Sequence, residues 1–405
     1  MTPASLSTQN ILKVISDEAL GFKFGKPDRP SEKSLACILP ILRTTSHKRQ
    51  YVTMPETEHL LVTDSGSIYK LNLKNSSKEN IFVRSGTIFE GKGTQSRALT
   101  RSAVIFPGQE VGLDVRCVHQ SHGIRSGSEF KYGGVTPFSV ESSNYAAGYR
   151  PKDQSNMWKS VETFTTTSAS MTGREPAIQT SGSSLRSRLQ RGQARGLRTM
   201  RSSGQSVQTH HSLFSNPDSS TAWNTSSSNA GGIYSSHLGA TEDSFDLNVA
   251  DPMLDVPSYP SSDNLKASFD EFAKNFDDIL SKARLHDNQA GLALITDTGC
   301  KTVEAYDVPL SWESLHRDAV KRMGTELLRG PDNTSVFEYK PENAIAAVRK
   351  VLALPFKANQ IYEHKPSNGE PHIEIFGLTA GNYVGEVVEL DGRVIHLVLI
   401  ETAQA

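Results

Sequence analysis

The stretch Ile81 to Val118, IFVRSGTIFEGKGTQSRALTRSAVIFPGQEVGLDVRCV, decides how the fold is read. Its last part alternates, with Val111, Leu113, Val115 and Cys117 on one face and Gly112, Asp114 and Arg116 on the other. A period of two marks a half-buried strand. Pro107-Gly108 just before it is a turn signal, because proline fixes its own φ and glycine accepts positive φ. Ahead of that turn Ala103-Val104-Ile105-Phe106 reads as a second strand and Thr87-Ile88-Phe89 as a third, entered by Ser85-Gly86. Between them lies Glu90-Gly91-Lys92-Gly93-Thr94-Gln95-Ser96-Arg97, which gathers one acid, two bases, an amide and two hydroxyls around two glycines.

Working outward toward the N-terminus, residues 1–33 are a polar tail. Leu35 to Leu42 is a strand broken by Pro40, which suggests an edge or a bend. His59 to Asp64 and Ile68 to Leu73 follow, each closed by a turn. Short strands with turns about every ten residues predict an antiparallel sandwich or barrel over 34–131.

From 132 to 262 the composition shifts to Ser, Thr, Gly, Asn and Gln, with too few apolar residues to offset the entropy of ordering the chain. The expectation is a long disordered, low-complexity insertion. Inside it Leu185 to Ser202 carries Arg186, Arg188, Arg191, Arg195, Arg198 and Arg201 with no acid. Such a run reads either as an arm for RNA, another polyanion or a protein partner, or as a solvated linker.

Residues 263–405 return to globular patterning. Phe269, Phe272, Phe276, Ile279 and Leu280 share one helical face, and Ala290 to Asp307 reads as a hairpin turning at Asp297-Thr298-Gly299. Ser311 to about Leu328 is a helix with Trp312, Leu315, Ala319, Met323 and Leu327 inward, and Pro341 opens another that buries Ile345, Val348, Val351 and Leu352. His372 to Phe376 is a short strand, and Asn382 to Glu401 is a hairpin around Asp391-Gly392. The fold class expected is α+β: a β-sandwich-like N-terminal half packed with a C-terminal half of hairpins and helices, as one domain across the insertion.

Composition narrows the function classes. Of 405 residues 36% are apolar, below the roughly 45–50% of globular chains, and the deficit sits in 132–262. A net charge of −1 gives no global field toward nucleic acid or a membrane. Three widely spaced cysteines, Cys37, Cys117 and Cys300, fit reduced thiols in a cytoplasmic chain. No apolar run has signal-peptide or membrane-span length. His119 and His122 need ligands from elsewhere to hold a metal, so no metal is assigned. The sequence assigns no cofactor and no oligomeric state.

The Gly91-Lys92-Gly93 turn is neither a Walker loop nor a dinucleotide fingerprint, since the required Gly-Lys-Ser/Thr step and third glycine are missing. A glycine-rich connection still offers backbone N–H groups to an anion, with Lys92 and Arg97 adding charge. The other reading is an ordinary solvated turn. His396 shares parity with Val394 and Val398 in an otherwise apolar strand, as a packed, hydrogen-bonded histidine would.

The run Glu90-Gly91, Lys92-Gly93, Gln95, Arg97, Val104 to Phe106, Pro107-Gly108 and Cys117-Val118 resembles the ARG and rhodanese-phosphatase-superfamily-associated protein domain family. The likeness returns in QAGLALITDTGCKTVEAYDVPLSWESLH and VGEVVELDGRVIHLVLIE. The family's name records a gene context and no measured activity. That context implies a nucleotide- or ADP-ribose-linked ligand held by Glu90, Gly91, Lys92, Gly93, Gln95 and Arg97, with His396 as acid or base. The alternative is a non-catalytic interaction module whose insertion is a flexible arm. One cleft containing Gln95, Arg97 and His396 favours the first, and their dispersal favours the second.

Overall fold

The computed structural model describes residues 21–29, 36–45, 47–91, 94–118, 126–146, 154–171, 265–274, 281, 283–327, 341–366 and 369–402. Seventeen strands and five α-helices occur among them. All described residues, before 172 and after 264 alike, fall in one compact unit.

An eight-stranded antiparallel sheet forms the centre, in the order β1 (Phe22–Phe24), β2 (Cys37–Arg43), β12 (Gln289–Thr296), β13 (Gly299–Tyr306), β17 (Arg393–Glu401), β16 (Tyr383–Leu390), β15 (Ile373–Ala380), β14 (Lys357–His364). The strand containing Pro40 therefore joins the C-terminal sheet, pairing with β12 along Cys37–Ile295 to Leu42–Gln289. Its other side is covered by three-residue β1 and, beyond it, by the Gly25 N–H donating to the Pro40 carbonyl and a bridge between Asp28 and Ile38, so the proline lies in the second strand from the edge. The turns are those the residues call for. Asp391 (φ 52°) and Gly392 (φ 72°) take the paired positive φ values of a two-residue hairpin between β16 and β17.

The stretch 60–135 closes on itself rather than forming an open sandwich. β10 (Glu110–Cys117), β5 (Lys70–Asn75), β4 (Leu60–Ser67), β11 (Glu129–Val135), β7 (Thr87–Gly91) and β8 (Arg97–Leu99) make a six-stranded barrel. Val62, Leu71, Leu73, Phe89, Leu99, Leu113, Val115 and Phe130 pack together in one apolar cluster. Closure removes the exposed strand edges that an open sheet carries. A three-stranded sheet, β3 (Tyr51–Thr53), β6 (Asn80–Val83) and β9 (Ala103–Ile105), gives Phe82 and Val104 to the core of the large sheet and Ile81, Val83 and Ile105 to the barrel cluster.

Order runs past the expected boundary at 132. β11 continues to Val135, and two helices follow, α1 (Phe138–Ala146) and α2 (Gln154–Met171). Met157, Val161 and Phe164 of α2 recur at helical spacing and pack with Phe269 and Phe272 of α3 (Leu265–Ala273). At the start of α2 the Gln154 amide bonds both the N–H and the C=O of Cys117 at 2.9 and 2.7 Å, which ties the helix to β10. The expected insertion from 172 onward, Arg186 to Arg201 included, lies outside the described residues, as do the tail 1–20 and His119 and His122.

The central sheet is covered on both faces. α4 (Pro309–Leu327) packs Trp312, Leu315, Ala319 and Met323 into one core, and α5 (Pro341–Leu352) packs Ala344, Val348, Val351 and Leu352 into the other. Cys37, Cys117 and Cys300 are all buried. Among the described residues no helix is long and apolar enough to cross a membrane.

Candidate functional site

Glu304 interrupts β13 with a charge where its neighbours Val303 and Ala305 are core. Arg84, just after β6, meets it with both arms of the guanidinium, Nε to Oε1 at 2.6 Å and Nη2 to Oε2 at 3.0 Å. Arg84 also donates to Glu141 of α1 at 2.7 Å. Arg322 of α4 closes the ring, donating to Glu304 at 2.9 Å and to Glu141. The four side chains are at most 2% exposed, so two cations and two carboxylates neutralise one another in the interior. Burial alone raises a carboxyl, yet Arg84, the His396 bond and Arg322 hold Glu304 well below the usual carboxylate range.

His396 of β17 belongs to this interior. It is fully buried, its ring tilted against those of Phe82 and Tyr306, with Nε2 at 3.4 Å from Glu304 Oε1. Burial lowers its pKa despite the Glu304 contact, so the ring is neutral at pH 7.

Arg97 of β8 lies elsewhere, in the barrel. It is fully buried, with Nη2 at 3.1 Å from Asp64 Oδ2 and Nη1 donating to the Ser67 carbonyl at 2.8 Å. Thr94 bonds the same carboxylate at 3.3 Å. Gly91 is a packing glycine, because a Cβ there would sit 2.3 Å from Thr94 Cγ2 and 2.8 Å from the Phe130 ring. Gln95 is half-buried with its carbonyl oxygen unpaired. Lys92 and Gly93 lie outside the described residues.

Among the described residues of the expected set, Glu90 alone lines an open cleft of about 420 Å³. Its other walls are Tyr132 to Gly134 of β11, Lys266, Asp270, Ala273 and Lys274 from α3 and its end, and Arg317, Asp318 and Lys321 of α4. Neither Gln95, Arg97 nor His396 lines it. The β11 register shifts between Tyr132 and Val135, and Gly134 (φ 99°) takes the bend where a Cβ would meet Asp318 at 3.3 Å. Tyr132 donates to Asp318 at 2.6 Å. Asp270 accepts from Lys266 at 2.6 Å and from Lys321, and Glu90 stands 3.6 Å from Lys266. Burial raises the Asp270 carboxyl, but the two lysines hold it below its ordinary value. Four cations against three carboxylates line the cleft, and exposed Lys274 and Arg317 have no ion-pair partner among the described residues.

The ring Arg84, Glu141, Glu304 and Arg322 was not anticipated, although a glutamate inside the apolar run of β13 was its visible trace. The cleft residues Lys266, Asp270 and Lys274 on α3 and its end and Arg317 and Lys321 on α4 recur four apart, as solvated charged faces also do, and the two sets converge only through tertiary packing. His396 and Arg97 are held by different sheets and share no contact. No curated protein and no solved structure matches the chain. Residues 27–211, which take in the barrel, α1 and α2 but nothing after 211, match the family model of the ARG and Rhodanese-Phosphatase-superfamily-associated Protein domain.

Proposed function

We propose that the chain is a binding protein for a nucleotide-class anion, with ADP-ribose the first candidate, and that the ligand sits in the cleft between β11, α3 and α4. The observation that carries this reading is the cleft's charge arrangement: its carboxylates are engaged by neighbours while Lys274 and Arg317 remain exposed at its rim. Its volume suits a small ligand. Lys274 and Arg317 hold the phosphates, and Glu90 accepts a ribose hydroxyl. His396 and Arg97, both fully buried, stabilise the fold and do not touch the ligand. This reading is non-catalytic, and the family's name enters it only as the reason to begin with ADP-ribose.

Calorimetric titration of the full chain with ADP-ribose, ADP and NAD tests it. Saturable binding is expected, weakened about tenfold by Arg317→Ala or Lys274→Ala, the scale of one charge-assisted hydrogen bond. Absence of binding by all three, or binding unchanged in both variants, overturns it.

A further inference from the structure

We propose that the β14–β15 hairpin holds a first-row divalent transition cation, zinc being the probe of choice, between Glu363, His372 and Glu374. Each offers one ligand atom, and these atoms all lie within 4.8 Å of one another. The backbone brings them together. Glu363 and Glu374 are direct cross-strand partners in the antiparallel pair, and His372, just ahead of β15, precedes Glu374 by two residues and so shares its parity. Ile373 and Ile375, of opposite parity, point into the core. The three side chains therefore form one group on the outer face.

Two glutamates directly opposite one another destabilise a hairpin unless a cation lies between them. Among the described residues the basic contacts of Glu363 are His372 Nε2 at 3.5 Å and highly exposed Lys365 at 3.8 Å. The first of these is already close to the roughly 3.4 Å that separates two ligands bound to one zinc at tetrahedral angles. Small side-chain rotations bring in the third ligand. The group is also held in place. His372 is fixed by a reciprocal pair of bonds with Asp391 at the β16–β17 turn: its N–H donates to Asp391 Oδ1, and its carbonyl accepts from the Asp391 N–H, both at 2.8 Å. Gln360 donates to Glu374 Oε1 at 2.9 Å, leaving the other oxygen for the ion.

The imidazole decides the class of cation. Magnesium and calcium take oxygen ligands, whereas one imidazole and two carboxylates suit zinc, iron or manganese. Three protein ligands leave a fourth position for water, the pattern of an open rather than a closed zinc site. Nothing in this hairpin belongs to the cleft of β11, α3 and α4, so the metal site and the anion cleft stand or fall separately.

The test is titration of the full chain, stripped with EDTA, with zinc chloride by calorimetry and with cobalt chloride by visible absorption. One zinc per chain is expected, with cobalt d–d bands that zinc abolishes. His372→Ala and Glu374→Gln each weaken zinc by roughly tenfold or more, as even the partners of metal ligands contribute that much. Without metal, Glu374→Gln melts at or above the wild-type temperature, because it relieves the repulsion between Glu363 and Glu374, and His372→Ala melts close to it. Lys365→Ala keeps or tightens binding. No saturable zinc binding overturns the proposal, as does full affinity in the His372→Ala/Glu374→Gln double variant or equal affinity for magnesium and calcium.

Discussion

Arg84 and Glu304 meet as a two-pronged ion pair in the interior, 220 residues apart in sequence. One precedes the segment 172–264 and the other follows it, so the pair locks the two flanks of that segment to each other. Glu141 and Arg322 extend the lock to α1 and α4. A buried ion pair is weak evidence of net stability, because both charges had to leave water. Its stronger consequence is specificity: any other docking of the two flanks leaves a charge buried alone.

Removing one member therefore costs more than the pair contributes. Glu304→Gln leaves Arg84 and Arg322 facing Glu141 alone, and the expected loss is about 3–5 kcal/mol in urea unfolding at pH 7. Arg84→Met together with Glu304→Gln costs less than the sum of the single changes, since the partners act as one unit. A loss below about 1 kcal/mol for Glu304→Gln contradicts this account of the ring.

Arg97 supplies a sharper separation of fold from ligand. Its two terminal nitrogens serve different partners, Asp64 and the Ser67 carbonyl. A lysine ammonium at the end of a flexible stem does not span both with the same geometry. Arg97→Lys is expected to lower stability by about 2 kcal/mol, the scale of a lost charged hydrogen bond, while ADP-ribose affinity per folded molecule is unchanged. Lost affinity with intact stability returns Arg97 to the ligand site.

Patterns carried by single elements were legible in the sequence. The Asp391-Gly392 hairpin and the helices beginning near Ser311 and at Pro341 rest on local turn chemistry and apolar spacing, and the structure has them in place. The barrel was harder because β11, EFKYGGV, is polar and glycine-rich, and only its pairing with both β4 and β7 closes the ring. Helix α2 was hidden by its serines and threonines, among which Met157, Val161 and Phe164 are the buried stripe. The buried charges were invisible for a physical reason. A sequence shows an arginine or a glutamate as solvent-facing until tertiary structure supplies its partner.

The arginine run Arg186 to Arg201 remains a proposed contact for RNA. If its six arginines neutralise phosphates of a single strand, log affinity falls with log salt at a slope of roughly −4. Replacing three of them with glutamine halves that slope. Filter binding of a labelled oligoribonucleotide from 50 to about 200 mM salt measures it. Absence of binding at the lowest salt makes the run a linker.

Glu386 of β16 gives the protein a titration in the physiological range. It is fully buried, and its two carboxylate oxygens each accept the Ser102 N–H at 3.2 Å. Burial pushes its pKa up, the bonds from Ser102 pull it back, Glu141 raises it again, and it stands at about 7. Because this folded value lies above the ordinary one of 4.5, the folded state holds its proton more tightly than the unfolded chain does. The stability Glu386 contributes is thus complete below pH 4.5 and is lost as the pH rises through 7. His396 acts in the opposite sense, since its lowered pKa removes stability as the pH falls below its ordinary 6.5. Glu386→Gln isolates the first effect, because the amide resembles the protonated acid and does not ionise. The variant gains stability relative to wild type between pH 5 and pH 8, by on the order of 2–3 kcal/mol, one pKa unit being about 1.4 kcal/mol. Urea unfolding at both pH values reads the difference directly, and a difference that is flat or of opposite sign means that Glu386 is ionised throughout this range.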